Sequence, residues 1–174
     1  ANIYEIYLKH ISPEDIHIYS IDECFIDVTP YLQLYHKSPK DMAITLMQDV
    51  FKETGICATA GIGTNLYLSK IAMDIIAKHA DDHIGFLNED LFKVKLWDHK
   101  PLTDFWRIGS RTARKLAQNG IFTMGDLARY SLYNEDHLYK LFGIDAELMI
   151  DHAWGIEPCT IQDIKAYEPV TNSL

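Results

Sequence analysis

Two adjacent carboxylates, Asp22 and Glu23, interrupt an otherwise apolar stretch from Ile16 to Val28. An ionised carboxylate buried without a partner is costly, so the pair must meet water, a cation or a metal ion. Oxygen donors of this kind suit a hard cation: Mg²⁺ takes carboxylates, phosphate oxygens and water. Adjacent residues of a regular strand point to opposite faces, so only a turn or a bulge brings both to one ion. The residues alone leave two readings open, a hairpin turn with two solvated acids and a cation site. A second candidate is Lys70, in the first turns of a helix entered through Gly61, Gly63 and Asn65. Helix starts present free N–H groups to phosphate, and a lysine adds a point charge. On its own, Lys70 equally fits a solvated helix face.

The elements that must position these groups follow from periodicity. Ile16 to Val28 predicts two short strands flanking Asp22-Glu23, closed by Thr29-Pro30. Pro39 to Thr54 predicts a helix with Ser38 as N-cap and Gly55 at its end, its apolar stripe being Met42, Ile44, Leu46, Met47, Val50 and Phe51. Ile56 to Ile62 is a short β-type run, and Asn65 to Lys78 a second helix. This order implies an α+β sheet with helices packed on one face. Ile84 to Leu87 adds a short strand; beyond Asn88, helical segments broken by Pro101, Gly109, Gly120, Gly125 and Gly143 imply a small all-helical domain. Trp97, Phe105, Trp106, Tyr139 and Trp154 read as its core, and Cys24 as a small buried filler. The N-terminus enters directly into helical periodicity at Ile3, Ile6 and Tyr7 without an initiator Met, as expected of a fragment that starts upstream.

The segment Ser20-Ile21-Asp22-Glu23-Cys24-Phe25-Ile26-Asp27 closely resembles the Ser-Ile-Asp-Glu-Ala-Tyr-Leu-Asp signature of the Y-family translesion DNA polymerases, the UmuC/DinB (ImpB/MucB/SamB) group. Gly61-Ile62-Gly63-Thr64-Asn65, Lys70-Ile71-Ala72 and Ala77-Lys78 resemble a second block of that family, Gly-Ile-Gly-x-Asn-Lys, Ala-Lys-Ile-Ala and Ala-Lys-Pro. The resemblance extends over about residues 1–160 and into the linker beyond. It implies the back part of a polymerase palm over 1–79, a thumb over 80–160, and over 161–174 a linker toward a little finger that is not in these residues. It implies that Asp22 and Glu23 are catalytic metal ligands in a two-Mg²⁺ site, incomplete here because the family's third carboxylate comes from an Asp-x-Asp strand. It gives Lys70 contact with the incoming triphosphate. Asp27 stays outside the catalytic set. Leu66 and His79 depart from the family's usual Lys and Pro.

Phe105 to Leu116 reads as a tight turn opening a helix, and Ile121 to Leu127 begins the next. This resembles the family's helix–hairpin–helix, which implies DNA-backbone contacts from Arg107, Gly109, Arg111, Arg114 and Lys115. Arg107 stands where the common Gly-Ile-Gly turn has its first glycine. A charged solvent-facing helix is the bland reading of Arg114 and Lys115. Across 174 residues the net charge is −9, which argues against gripping nucleic acid by bulk charge. The charge is uneven: residues 97–130 hold 6 bases against 3 acids, while 1–96 hold 8 against 14 and 131–174 hold 2 against 8.

Three cysteines without CxxC spacing imply reduced thiols in a cytoplasmic chain, and the family resemblance implies a bacterial one. No apolar run approaches the roughly 20 residues of a membrane span, and no membrane partner is expected. His79 and His83 have i,i+4 spacing but no third ligand nearby. The implied function is incorporation of deoxynucleotides opposite damaged template by two-metal phosphoryl transfer, with primer–template DNA and a deoxynucleoside triphosphate as partners. A sliding clamp is a further partner, reached through regions outside these residues. The alternatives are a non-enzymatic helix–hairpin–helix DNA-binding module and a nucleotidyl cyclase, whose Gly-Gly turn the segment Ile21 to Phe25 lacks.

Overall fold

The computed structural model describes residues 2–167. Packing groups them into two compact units, one formed by the chain up to Ala60 and resumed from Cys159, the other by Gly61–Pro158. In the first unit, Asn2 caps helix α1 (Ile3–Leu8) by accepting from the Tyr4 amide. A 3-10 turn, Pro13–Asp15, leads into strands β1 (Ile16–Ser20) and β2 (Glu23–Ile26), which pair antiparallel. Thr29–Pro30 ends the hairpin as expected but also opens helix α2 (Thr29–Leu34), where Asp27 Oδ1 accepts from the Thr29 amide. Helix α3 (Pro39–Thr54) keeps the expected caps: Ser38 accepts from the Asp41 amide, and Gly55 turns left-handed at φ 74°. Of its predicted stripe, Met42, Leu46 and Val50 are buried at i,i+4 spacing, whereas Phe51 is exposed. Ile11, Ile16 and Met42 centre this unit's core.

Strand β3 (Ala60–Gly63) is shorter than the run expected from Ile56, because Ile56 and Cys57 are exposed. It pairs with β4 (Ile84–Leu87), so among the described residues the strands form two two-stranded sheets rather than one. Between them runs one helical stretch: α4 (Leu66–Ile71), capped by the Asn65 side chain on the Leu68 amide, then a π-helical turn Ala72–Ile76 and a 3-10 turn Ala77–His79. Two glycines of β3 let that helix lie flush on the strand. A Cβ on Gly61 would fall 2.1 Å from the Ser69 carbonyl oxygen, and one on Gly63 2.2 Å from the Ser69 nitrogen. Gly85 of β4 meets the Ala72 carbonyl oxygen in the same way, at 2.4 Å.

The rest of this unit is helical: α5 (Glu89–Leu96), a 3-10 turn Leu102–Asp104, α6 (Ser110–Ala117), α7 (Met124–Phe142) bent at Asn134, and α8 (Asp145–Ala153). Tyr67, Leu68 and Ile71 of α4 join Phe92, Phe105, Leu116 and Leu127 in a single core. Packing divides the chain at residue 60, because the apolar face of α4 is buried among these helices. Trp97, Trp106 and Trp154 pack against this core, while Tyr139, expected inside, is exposed. Residues Ile161–Ala166, expected as linker, form helix α9, closed by a Thr160–Asp163 capping box and anchored by buried Ile161 near β1 and the Pro13–Asp15 turn. Residues 168–174 of that expected linker lie outside the described residues.

Tyr67 is fully buried, edge-on to Phe92 at 5.9 Å and stacked on His152 at 3.9 Å, yet its hydroxyl has no hydrogen-bond partner among the described residues. Burial, with nearby Glu157, pushes that hydroxyl's pKa well up. A desolvated hydroxyl with nothing to bond is a net cost, so Tyr67→Phe should raise stability by about 1 kcal/mol. A melting curve checks it, and a fall in Tm would contradict the structure.

Candidate active site

The β1–β2 hairpin carries Asp22 and Glu23 at its turn. Its register runs Ile16↔Ile26, His17↔Phe25 and Ile18↔Cys24, then slips so that Ser20 faces Glu23. The irregularity between Ile18 and Ser20 breaks strict alternation where two neighbouring acids need to escape it. Asp22 is exposed in the turn, and Ser20 Oγ donates to its Oδ1 at 3.0 Å. Glu23 opens β2 and is half-buried. Tyr19 lies edge-on to Phe25 at 5.8 Å and His17 stacks on the same ring at 6.4 Å, which stiffens the strands beneath the turn.

The donor set here is hard. Cys24 follows the pair directly, but burial pushes its thiol up to about 11. It stays protonated at neutral pH and offers no thiolate to a metal. Among the described residues no group of three or more His, Cys, Asp or Glu could hold a metal ion. The two carboxylates are oxygen donors of the kind Mg²⁺ takes, and such an ion would draw its other ligands from phosphate oxygens and water.

Lys70 belongs to the other packing unit. Its side chain is only 10% exposed, and its ammonium lies 3.0 Å from Asp74 Oδ2 and 3.2 Å from Oδ1. Asp74 escaped the sequence reading, although its i,i+4 spacing from a candidate lysine was the available signal.

The five DNA-backbone candidates surround the turn before α6. Arg107 adopts φ 71°, a left-handed conformation that costs a non-glycine residue about 1 kcal/mol. Its guanidinium lies 4.7 Å from the centre of the Trp106 ring, a stacking contact that offsets part of this cost. Gly109 is the N-cap of α6 at φ −87°, and a Cβ there would meet nothing within 4 Å. Arg111 and Arg114 are exposed on α6. Lys115 is engaged: its ammonium donates to the Leu141 carbonyl at 2.8 Å and sits 5.3 Å from the centre of the Phe142 ring, tying α6 to the end of α7. Asp22 and Glu23 share one turn, Arg107, Gly109, Arg111 and Arg114 share one stretch, and the two groups lie in different packing units.

Comparison with known proteins places the chain. Residues 1–74 match the family model of the impB/mucB/samB family. A Bacillus subtilis protein named for UV-damage repair, UvrX, is 34% identical over 157 residues, covering 90% of this chain and 36% of that protein. DNA polymerase IV 2 of the same organism is 33% identical over 171 residues, covering 98% of this chain and 37% of that protein. The chain thus spans little more than a third of these two relatives. A structure described as an insertion ternary complex of Dbh DNA polymerase superposes with a TM-score of 0.72 at 25% identity, over 90% of this chain and 44% of that one. The signature hairpin lies within the 74 residues that match the impB/mucB/samB model, and with the glycine-bedded helix behind Asn65 it falls inside the stretch similar to DNA polymerase IV 2 and to the Dbh polymerase structure.

Proposed function

We propose that this chain is part of a longer translesion DNA polymerase and supplies its carboxylate hairpin and thumb. The observation that carries the proposal is the Asp22–Glu23 pair, one acid exposed and the other half-buried, on a slipped hairpin in a chain similar to this family. Asp22 and Glu23 would hold Mg²⁺, with Ser20 orienting Asp22. When bound, the metal lowers the pKa of the primer 3′-hydroxyl and neutralises the triphosphate. Lys70 offers its ammonium to the triphosphate oxygens. The turn at Arg107–Gly109 acts as a helix–hairpin–helix: amides at the start of α6, with Arg107, Arg111 and Arg114, hold duplex phosphates without reading bases. Lys115 serves mainly to brace α6. The enzyme works in the cytoplasm on primer–template DNA and deoxynucleoside triphosphates.

This division of labour is testable. The full-length protein should extend a primer past a template lesion in Mg²⁺, whereas the 174-residue chain alone should not. The chain alone should still bind duplex DNA weakly, with log K falling by about 2–3 per decade of salt if three arginines each meet a phosphate. Replacing Arg107, Arg111 and Arg114 by alanine should flatten that slope. A full-length protein that binds DNA but never extends it would leave a DNA-binding module, and robust extension by the chain alone would overturn the division.

A further inference from the structure

We propose that Asp74 is the positioning residue for Lys70, fixing where its ammonium stands before a triphosphate arrives. This deepens the reading of Lys70 as the triphosphate cation and rests on it. Lys70 lies between Leu68 and Ile71, both wholly buried, and its own side chain is nearly enclosed. An ammonium so placed is largely stripped of water and needs an anion close by to remain charged and localised. Asp74 meets that need with both carboxylate oxygens, at 3.0 and 3.2 Å, while its own side chain is 29% exposed. The pair is therefore closed on the lysine stem and open on the carboxylate side.

The backbone beneath the pair is held unusually firmly. Gly61 and Gly63 press on Ser69, the residue before Lys70; Gly61 also presses on Met73, the residue before Asp74; Gly85 presses on Ala72. The π-helical turn Ala72–Ile76 begins just after α4 and contains Asp74. Widened turns of this kind are rare and concentrate at functional sites. Lysine has a flexible four-carbon stem and, unlike arginine, no planar fork to orient it. A two-oxygen grip from a carboxylate on the same immobilised helix supplies that orientation. Asp74 needs no contact with the nucleotide to matter; it acts through Lys70.

Steady-state primer extension by the full-length protein, with one nucleotide varied, tests this. Lys70→Ala should lower kcat/KM by about a hundredfold. Asp74→Asn and Asp74→Ala should raise the nucleotide KM by about tenfold while kcat stays within about twofold, and Asp74→Glu should recover most of the loss. Asp74→Asn keeps the shape of the side chain and an oxygen to accept from the ammonium, so the protein should stay folded with only a modest fall in melting temperature from the lost charge. If Lys70→Ala leaves kcat/KM unchanged, the triphosphate role of Lys70 fails and this proposal with it. If Lys70→Ala acts but Asp74→Asn leaves KM alone, or lowers it because Asp74 merely competes with phosphate, only the positioning role is overturned. A joint fall of kcat and melting temperature in Asp74→Asn overturns it too, in favour of a structural ion pair.

Discussion

Replacing Asp22 and Glu23 together by alanine should abolish primer extension by the full-length protein and leave it folded. The two acids are the only carboxylates at the β1–β2 turn, and neither Ile21 before them nor Cys24 after them can take their place. Losing both would remove two of the oxygen ligands that would hold Mg²⁺, and with them the charge stabilisation the metal would supply to phosphoryl transfer. The rate should fall by at least about 10³-fold, since a single preorganised electrostatic contact is already worth 10²–10³. The fold should survive with a loss of about 1 kcal/mol: Asp22 is exposed with Ser20 on the same turn as its described partner, and Glu23 is half-buried at the start of β2. Rates are read by single-turnover extension and folding by thermal melting. Extension at the parent's rate would remove both residues from catalysis.

The largest effect on stability should come from the smallest addition. Gly63→Ala places a methyl group 2.2 Å from the Ser69 nitrogen and 2.6 Å from the Leu68 carbonyl carbon. Gly61→Ala meets the Ser69 oxygen at 2.1 Å and the Met73 nitrogen at 2.3 Å. These obstacles are helix backbone, so no side chain can swing aside; α4 must lift off β3. Overpacking in a core costs about 1–3 kcal/mol, and displacing a whole helix belongs at the upper end. For a chain of this size that is a fall in Tm of roughly 5–10 °C. Gly109→Ala is the control: nothing lies within 4 Å of its would-be Cβ and its φ is ordinary, so only the poorer N-cap is lost, about 0.5–1 kcal/mol. Equal melting of Gly63→Ala and Gly109→Ala would refute the flush packing.

These contrasts show where sequence reasoning had purchase. Local signals were legible: the broken alternation at Asp22-Glu23, the caps Ser38 and Gly55, and the Asn65 helix start all stand where the residues place them. Each depends on chain neighbours within four residues. Partner choice between distant segments was not legible. Nothing in Gly61-Ile62-Gly63 says that its mate is Ile84–Leu87, so one sheet was expected where two short ones occur. The glycines were visible, but the helix backbone they admit was not. Phe51 and Tyr139 are apolar enough to read as core, and only the packed structure shows that no neighbour covers them. Lys70 was found through family resemblance, while its partner Asp74, one helical turn on, carries meaning only once both are seen to share a half-closed pocket of charge.

The thiol beside the carboxylates has a consequence for reactivity. With a pKa near 11, Cys24 holds roughly one part in ten thousand as thiolate at pH 7, so peroxides and alkylating agents find almost no nucleophile there. Cys57, by contrast, is exposed. Oxidative or electrophilic stress therefore meets the exposed Cys57 more readily than the thiol beside the carboxylates. The same asymmetry lets a maleimide dye label Cys57 in preference to Cys24.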